Sequence, residues 1–281
     1  MKIKEYWNSR AKLGDSAGTQ DLIARQLEVR EIKNHIHDDQ KILDVGCGNG
    51  LTANEISNQF NVEIIGIDFS PKMIEEAKIL NSNIEFHPAD ILHWKPTNLF
   101  DVIYTQRTLI NLPDWDTQQK AMKNIGDLLT PMGKFLMIEN SQDGLNNLNK
   151  LRRNVGLLDI KPPWHNRYFI DSEIEKVSFL VLERVVDFSS TYYFLSRVIN
   201  AALHDPPEYD HPINQCALKL PIIRMGCGQT RLWIWRKQGR LESLKSDEEM
   251  SNQFWEQYID EVKSMTAVEK EKVEREMKGE K

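Results

Sequence analysis

Lys41-Ile42-Leu43-Asp44-Val45-Gly46-Cys47-Gly48-Asn49-Gly50 is the stretch on which the fold turns. Its first half is a short apolar run closed by glycine, the pattern of a parallel strand buried on both faces. Its second half reads G-x-G-x-G and leads into helix-forming residues, Leu51 to Phe60. A glycine-rich turn between a strand and a helix brings backbone close to a ligand, and the helix start offers unpaired N–H groups. Upstream, Leu22, Ile23, Leu27, Val29, Ile32 and Ile36 recur at helical spacing and end in the polar His37-Asp38-Asp39-Gln40. Downstream, strand patterns recur at Val62–Ile67, Ile84–His87, Asp101–Tyr104 and Lys134–Glu139, separated by helical or turn segments. Ser70-Pro71 has the form of a helix start, with serine as cap and proline in the first helical position. This alternation predicts a parallel sheet with helices on both faces, because each right-handed crossover needs its own helix.

Ligands in such sheets bind at the carboxyl ends of the strands. Three acids fall there: Asp44 before the loop, Asp68 after the second strand, and Asp90 after the third. Asp68 is placed to accept the hydroxyls of a ribose, and Asp90 to accept from an exocyclic amino group such as that of adenine. The dinucleotide fingerprint requires a third glycine where this chain has Leu51. Asp44 would also repel a pyrophosphate while attracting an ammonium or sulfonium. The charge pattern therefore favours S-adenosylmethionine (SAM) over a nicotinamide dinucleotide.

LDVGCGNG (43–50), GIDFS (66–70), Ala89-Asp90, FDVIY (100–104) and LLTPMGKFLMIE (128–139) together resemble the class I SAM-dependent methyltransferases. The resemblance spans roughly residues 20 to 140. It implies an α/β, Rossmann-like, doubly wound seven-stranded sheet with the last strand antiparallel, and methyl transfer as the activity. It also implies that Asp44, Gly46, Cys47 and Gly48 lie at the methionine part of SAM, with Asp68 at the ribose. Phe69 would lie on the adenine face and Asp90 with Ile91 on its edge. Cys47 is read as chemically inert. RTLINLPDW (107–115) and PWHNRYF (163–169) are similar to methyltransferases of bacterial surface-polysaccharide gene clusters, which implies a sugar hydroxyl or a glycan-linked phosphate as acceptor; the lead expectation is methyl transfer to an oxygen of a small-molecule or glycan acceptor.

Past Asn140 the pattern is less regular. Gly144–Lys150 is polar, Lys161–Phe169 mixes two prolines with three aromatics, and Asp171–Leu180 reads as a helix capped by Asp171 or Ser172. Val181–Phe188 and Gln229–Lys237 alternate like strands that close the sheet as an antiparallel pair. The domain is thus placed at 20–238, with acceptor-side insertions at about 141–170 and 189–228. Residues 1–19, with Tyr6, Trp7 and Arg10, are a lid or a docking segment. Residues 239–281 form a charged helical tail, either a helix docked on its own domain or a self-association coil.

On the acceptor side the candidate catalytic residues are Arg107, His165 and His211. Arginine can clamp a phosphate or carboxylate or simply pair with an acid, and histidine can serve as the base. His204, Asp205, Glu208, Asp210 and His211 lack a recognised metal-ligand spacing, so no metal is expected. A net charge of −6 argues against a nucleic-acid grip. Three cysteines without a CxxC pair fit a reducing compartment, and no secretory or membrane-spanning apolar run occurs, so a soluble cytoplasmic protein is expected. The readings from other classes are a non-catalytic SAM-binding regulatory protein and an NAD-dependent oxidoreductase.

Overall fold

The computed structural model describes residues 3–204, 209–223 and 225–237. The chain divides into two units, Met1–Lys237 and Gln238–Lys281. The charged tail expected at 239–281 lies outside the described residues, as do Asp205 and Glu208.

Helix α1 (Ile3–Arg10) is followed by a 3-10 segment, Ala11–Ser16, and by α2 (Leu22–Lys33). Strand β1 (Lys41–Val45), α3 (Leu51–Ser57), β2 (Glu63–Asp68), α4 (Pro71–Leu80) and β3 (Glu85–Pro88) form the first half of the sheet with its crossovers. Strand β4 (Phe100–Gln106), α5 (Trp115–Asp127), β5 (Leu129–Asn140), α6 (Gln142–Asn154) and α7 (Asp171–Ile174) follow. Strand β6 (Leu180–Val186) leads into α8 (Ser190–Phe194), a π-helical turn at Leu195–Ile199, α9 (Asn200–Leu203) and α10 (Pro212–Gln215), and β7 (Thr230–Lys237) closes the sheet. The order is β3-β2-β1-β4-β5-β7-β6. Strands β1 to β5 pair in parallel, while β7 runs antiparallel to both neighbours.

The central strands carry the core because they are covered on both faces. Ile42, Leu43, Val102, Ile103, Phe135, Leu136, Met137 and Ile138 are fully buried, and each such aliphatic side chain contributes about 1.5–3 kcal/mol by leaving water. Reversal of strand order at β1 and β4 opens a crevice at their carboxyl ends. Ser70 caps α4 as expected, accepting from the Met73 N–H at 3.3 Å, with Pro71 in the first turn.

Three segments differ from their sequence reading. The polar stretch after Asn140 is an amphipathic helix, α6, capped by Ser141 and burying Leu145 and Leu148. Its Gly144 packs so closely on the Gly228 carbonyl that no side chain fits there. Helix α7 is only four residues long, and neither Asp171 nor Ser172 caps it: Ile170 occupies that position, and Asp171 instead pairs with Arg231 at 2.9 Å. Strand β5 begins at Leu129, earlier than Lys134, because the Pro131 to Gly133 stretch bulges against β4 before parallel pairing resumes.

The α1 segment is held against the domain. Trp7 packs on Ala11, Ala17 and Met73, Arg10 donates to the Ala17 and Ser16 carbonyls at 2.6 and 2.7 Å, and the Ser70 hydroxyl donates to Asn8 at 2.6 Å. No described helix is long and apolar enough to cross a membrane.

Strand β7 is an interior strand, with Trp233 and Trp235 each 1% exposed. Trp233→Ala is expected to cost about 3–5 kcal/mol in urea unfolding. A loss below about 1 kcal/mol, typical of surface sites, would mean that β7 is not a packed interior strand.

Candidate active site

The glycine loop closes over the ends of β1 and β2. The Gly46 and Cys47 N–H groups both donate to the Ile67 carbonyl, at 2.7 and 3.0 Å, and Gly50 donates to Cys47 at 3.0 Å. Gly46, Gly48 and Gly50 all have positive φ, at 74°, 55° and 78°, which side chains rarely tolerate. At Gly46 a Cβ would run into Thr108, whereas at Gly48 it would meet nothing, because that residue faces the crevice.

Two carboxylates lie beneath the loop. Asp44 is 2% exposed and accepts from the Tyr104 hydroxyl at 2.7 Å. Asp68 accepts from the Gly48 and Ser70 N–H groups at 3.0 and 2.8 Å. Burial pushes Asp44 up to about 7, with the Asp68 charge adding to it and the Tyr104 bond opposing it. Burial likewise raises Asp68 to about 6, against the two backbone hydrogen bonds. Among the described residues neither acid has an ion-pair partner that would hold it ionised.

Both line a cavity of ≈ 320 Å³, a size that suits a small molecule or cofactor. Gly46, Cys47, Gly48, Phe69, Asp90 and Ile91 also line it, so all eight expected cofactor residues share one wall. The exposed Asp90 accepts from the Leu92 N–H at 2.9 Å, and Ile91 is buried. Burial, then the charges of Asp44 and Asp68, pushes the Cys47 thiol up, so it remains a protonated packing group. Ile3, Trp7, Ala17, Gly18 and Thr19 complete the wall from the first segment of the chain. The donor set fits S-adenosylmethionine: buried acids for hydroxyl and cationic groups, open backbone at Gly48, and apolar surface at Phe69 and Ile91.

The opposite wall follows β4. Glu139, fully buried at the end of β5, accepts the N–H groups of Thr108, Leu109 and Ile110 at 3.0, 2.9 and 3.2 Å and so fixes the loop that abuts Gly46. Burial raises it to about 7 in spite of those bonds. Arg107 lines the cavity and pairs through Nε with buried Glu28 of α2 at 3.1 Å. Burial pushes the Glu28 carboxyl up and the Arg107 guanidinium pulls it back. Arg107 has φ +53°, a left-handed conformation costing on the order of 1 kcal/mol for a non-glycine residue. Gln106 bridges Glu28 to Thr52 with bonds of 2.7 and 2.8 Å. Arg25, one helical turn before Glu28, lines the same cavity and pairs with Glu55 at 2.7 Å.

Sequence reading brought Arg107 forward but not Glu28, Glu139, Tyr104 or Arg25. Glu139 closes an apolar strand run, a position that signals a buried acid. Glu28 gave one signal, lying between Leu27 and Val29 on a helix whose neighbouring apolar positions are buried.

Neither histidine candidate lines the cavity. His165 stacks among Tyr6, Trp7 and Trp164, and reaches the cavity wall only through Trp7. Burial, then nearby Arg10, lowers its pKa. His211 caps α10, accepting from the Ile213 N–H at 3.2 Å, with its ring 4.4 Å from that of His204.

Residues 36–161 match the family model described as a methyltransferase domain. Phosphoethanolamine N-methyltransferase 3 of Arabidopsis thaliana is 36% identical over 105 residues, covering 36% of this chain and 21% of that protein. The chain thus matches only about a fifth of the length of such plant relatives, 21% and 22% for the two isoforms. Malonyl-[acyl-carrier protein] O-methyltransferase 1 of Ilyobacter polytropus is 28% identical over 199 residues, covering 66% of this chain and 70% of that protein. Among solved structures, N-methyltransferase NodS from Bradyrhizobium japonicum, in complex with S-adenosyl-L-homocysteine, superposes with TM-score 0.55 at 15% identity, covering 85% of this chain and 100% of that one. That similarity shows the fold, a Rossmann-like seven-stranded methyltransferase sheet.

The raised carboxylates around the cavity make a pH prediction. Folding binds protons at Asp44, Asp68 and Glu139, so their contribution is fully present below their unfolded pKa values and is lost as pH rises through about 6 to 7. Urea unfolding of the cofactor-free protein is expected to show lower stability at pH 7.5 than at pH 5.5, with a smaller drop in Asp44→Asn. Equal pH dependence in wild type and variant would remove Asp44 from this account.

Proposed function

We propose that the chain is a SAM-dependent methyltransferase that places the methyl group on an oxygen of a small-molecule or glycan acceptor. The observation that carries the reading is the pair of buried acids, Asp44 and Asp68, facing one cavity beneath a glycine loop whose Gly48 is open to it. In this reading Asp44, Gly46, Cys47 and Gly48 border the methionine portion, Asp68 accepts from the ribose hydroxyls, Phe69 covers the adenine, and Asp90 with Ile91 takes its edge. The cofactor supplies a methyl group on a sulfonium, a good leaving group that departs as a neutral thioether.

The chain's part is positioning and exclusion of water, because in-line displacement needs the acceptor atom held close to the methyl carbon. Glu139 fixes the Thr108–Ile110 backbone next to Gly46, and Trp7 with Ile3 closes the cavity from the first helix. A hydroxyl acceptor must lose its proton, whereas a carboxylate needs no base. Oxygen as the methylated atom is supported by the length of the relationships: the O-methyltransferase relative aligns over 199 residues, the N-methyltransferase relative over 105.

Calorimetric titration with S-adenosylhomocysteine is expected to show binding that weakens at least about tenfold in Asp68→Ala, the loss of two hydrogen bonds to one carboxylate. Unchanged affinity would remove the ribose assignment. Incubation with methyl-labelled SAM and fractionated small-molecule, glycan, protein and RNA pools is expected to label the small-molecule or glycan pool. Label in protein or RNA would contradict the acceptor class, and binding of NADH in place of S-adenosylhomocysteine would contradict the reading altogether.

A further inference from the structure

The cavity is electrically two-ended. Its acids, Asp44, Asp68 and Asp90, come from the ends of β1, β2 and β3. At the α2 and β4 side the polar lining is Thr19, Arg25, Gln106, Arg107 and Asn111, all donors or neutral amides. Arg107 is held there with unusual firmness. Its Nε is fixed by a carboxylate that is 1% exposed, that carboxylate is fixed by Gln106, and its backbone sits in a left-handed conformation anchored by an N–H bond to Ile138 at 2.7 Å. Among the described residues, its Nη1 and Nη2 donate to no protein atom, although the side chain is only 22% exposed. A guanidinium on the cavity lining with its Nε tied down keeps two N–H groups that match the two oxygens of a phosphate or carboxylate. Thr108 abuts Gly46, so this fork lies beside the part of the loop assigned to the methionine end, where the acceptor must stand.

Resting on the methyltransferase reading above, we infer that the acceptor is an anion, carrying a phosphate or carboxylate that Arg107 binds with Arg25 as a second cation. Glu28 acts as a positioning residue that orients the guanidinium without touching the acceptor. Arg25 contributes charge from one helical turn away, its own fork being partly engaged by Glu55. With Glu28 holding the Nε of Arg107 and Glu55 pairing with Arg25, an uncharged sugar hydroxyl alone would leave the Nη edge of Arg107 without an anionic partner in the cavity, which is costly where water is excluded.

The test uses two anions of defined chemistry, inorganic phosphate and malonate, titrated into the full chain with and without saturating S-adenosylhomocysteine. The wild-type protein with bound S-adenosylhomocysteine is expected to bind one of the two anions, and the identity of that anion distinguishes a phosphate from a carboxylate acceptor. Arg107→Met alone would strand the Glu28 charge, so the first variant is Arg107→Met with Glu28→Gln, which keeps the buried pair neutral. It should bind the anion at least about tenfold more weakly while holding S-adenosylhomocysteine as wild type does. Arg107→Lys, which keeps the pair with Glu28 but lacks the planar fork, should also lose anion affinity, and it carries the test if the double variant does not fold. Binding of S-adenosylhomocysteine without either anion, or equal anion affinity in wild type and the folded Arg107 variants, would overturn the inference and leave the methyltransferase reading standing. Absence of S-adenosylhomocysteine binding by wild type would overturn that reading, and this inference with it.

Discussion

Everything at this site depends on one unfavourable fact: two carboxylates, Asp44 and Asp68, are buried at the ends of adjacent parallel strands. A buried carboxylate is tolerated when donors surround it. Here the donors are the Tyr104 hydroxyl for one acid and two backbone N–H groups for the other. The glycine loop follows from that need, because only a backbone turning repeatedly through positive φ can bring the Gly48 N–H onto Asp68 and still leave its own outer face open. Burial raises the pKa values of both acids, and both line the cavity.

The same economy governs the opposite wall. Glu139 and Glu28 are buried acids too, but each is spent on the protein itself. Glu139 gathers three consecutive N–H groups and so fixes a short loop whose Leu109 and Ile110 are also buried in the core. Glu28 reaches across 79 residues of sequence to hold Arg107. Of these four carboxylates, two line the cavity beneath the glycine loop and two hold the backbone and the arginine of the opposite wall.

This division explains what could be read from the sequence. The G-x-G-x-G turn and the acids at 44, 68 and 90 are local signals, since spacing along alternating strands and helices fixes where they emerge. The paired strands β6 and β7 were also legible from their alternation. Helix α6 was not, because its first two turns are rich in Asn, Gln and Gly, and its apolar face shows only once Leu145, Leu148 and Leu151 are laid on the sheet. The roles of Glu28 and Tyr104 were hidden for a different reason: each depends on a partner 60 or more residues away, and nothing local distinguishes them from an ordinary helix acid or core aromatic. The two candidate histidines lie off the cavity lining. A lone imidazole in a proline-rich loop suggests chemistry, yet His211 serves as a helix cap and His165 as a member of an aromatic cluster.

The central claim is that the cavity takes a ligand whose cationic and hydroxyl groups bring Asp44 and Asp68 to their ionised forms. Linkage makes this measurable as protons. Calorimetric titration of S-adenosylmethionine at pH 6.5, repeated in buffers of different ionisation enthalpy, reads the number of protons exchanged on binding. The account predicts net release to solvent, reduced in Asp44→Asn. Binding with net proton uptake, or release that is the same in wild type and Asp44→Asn, would contradict it.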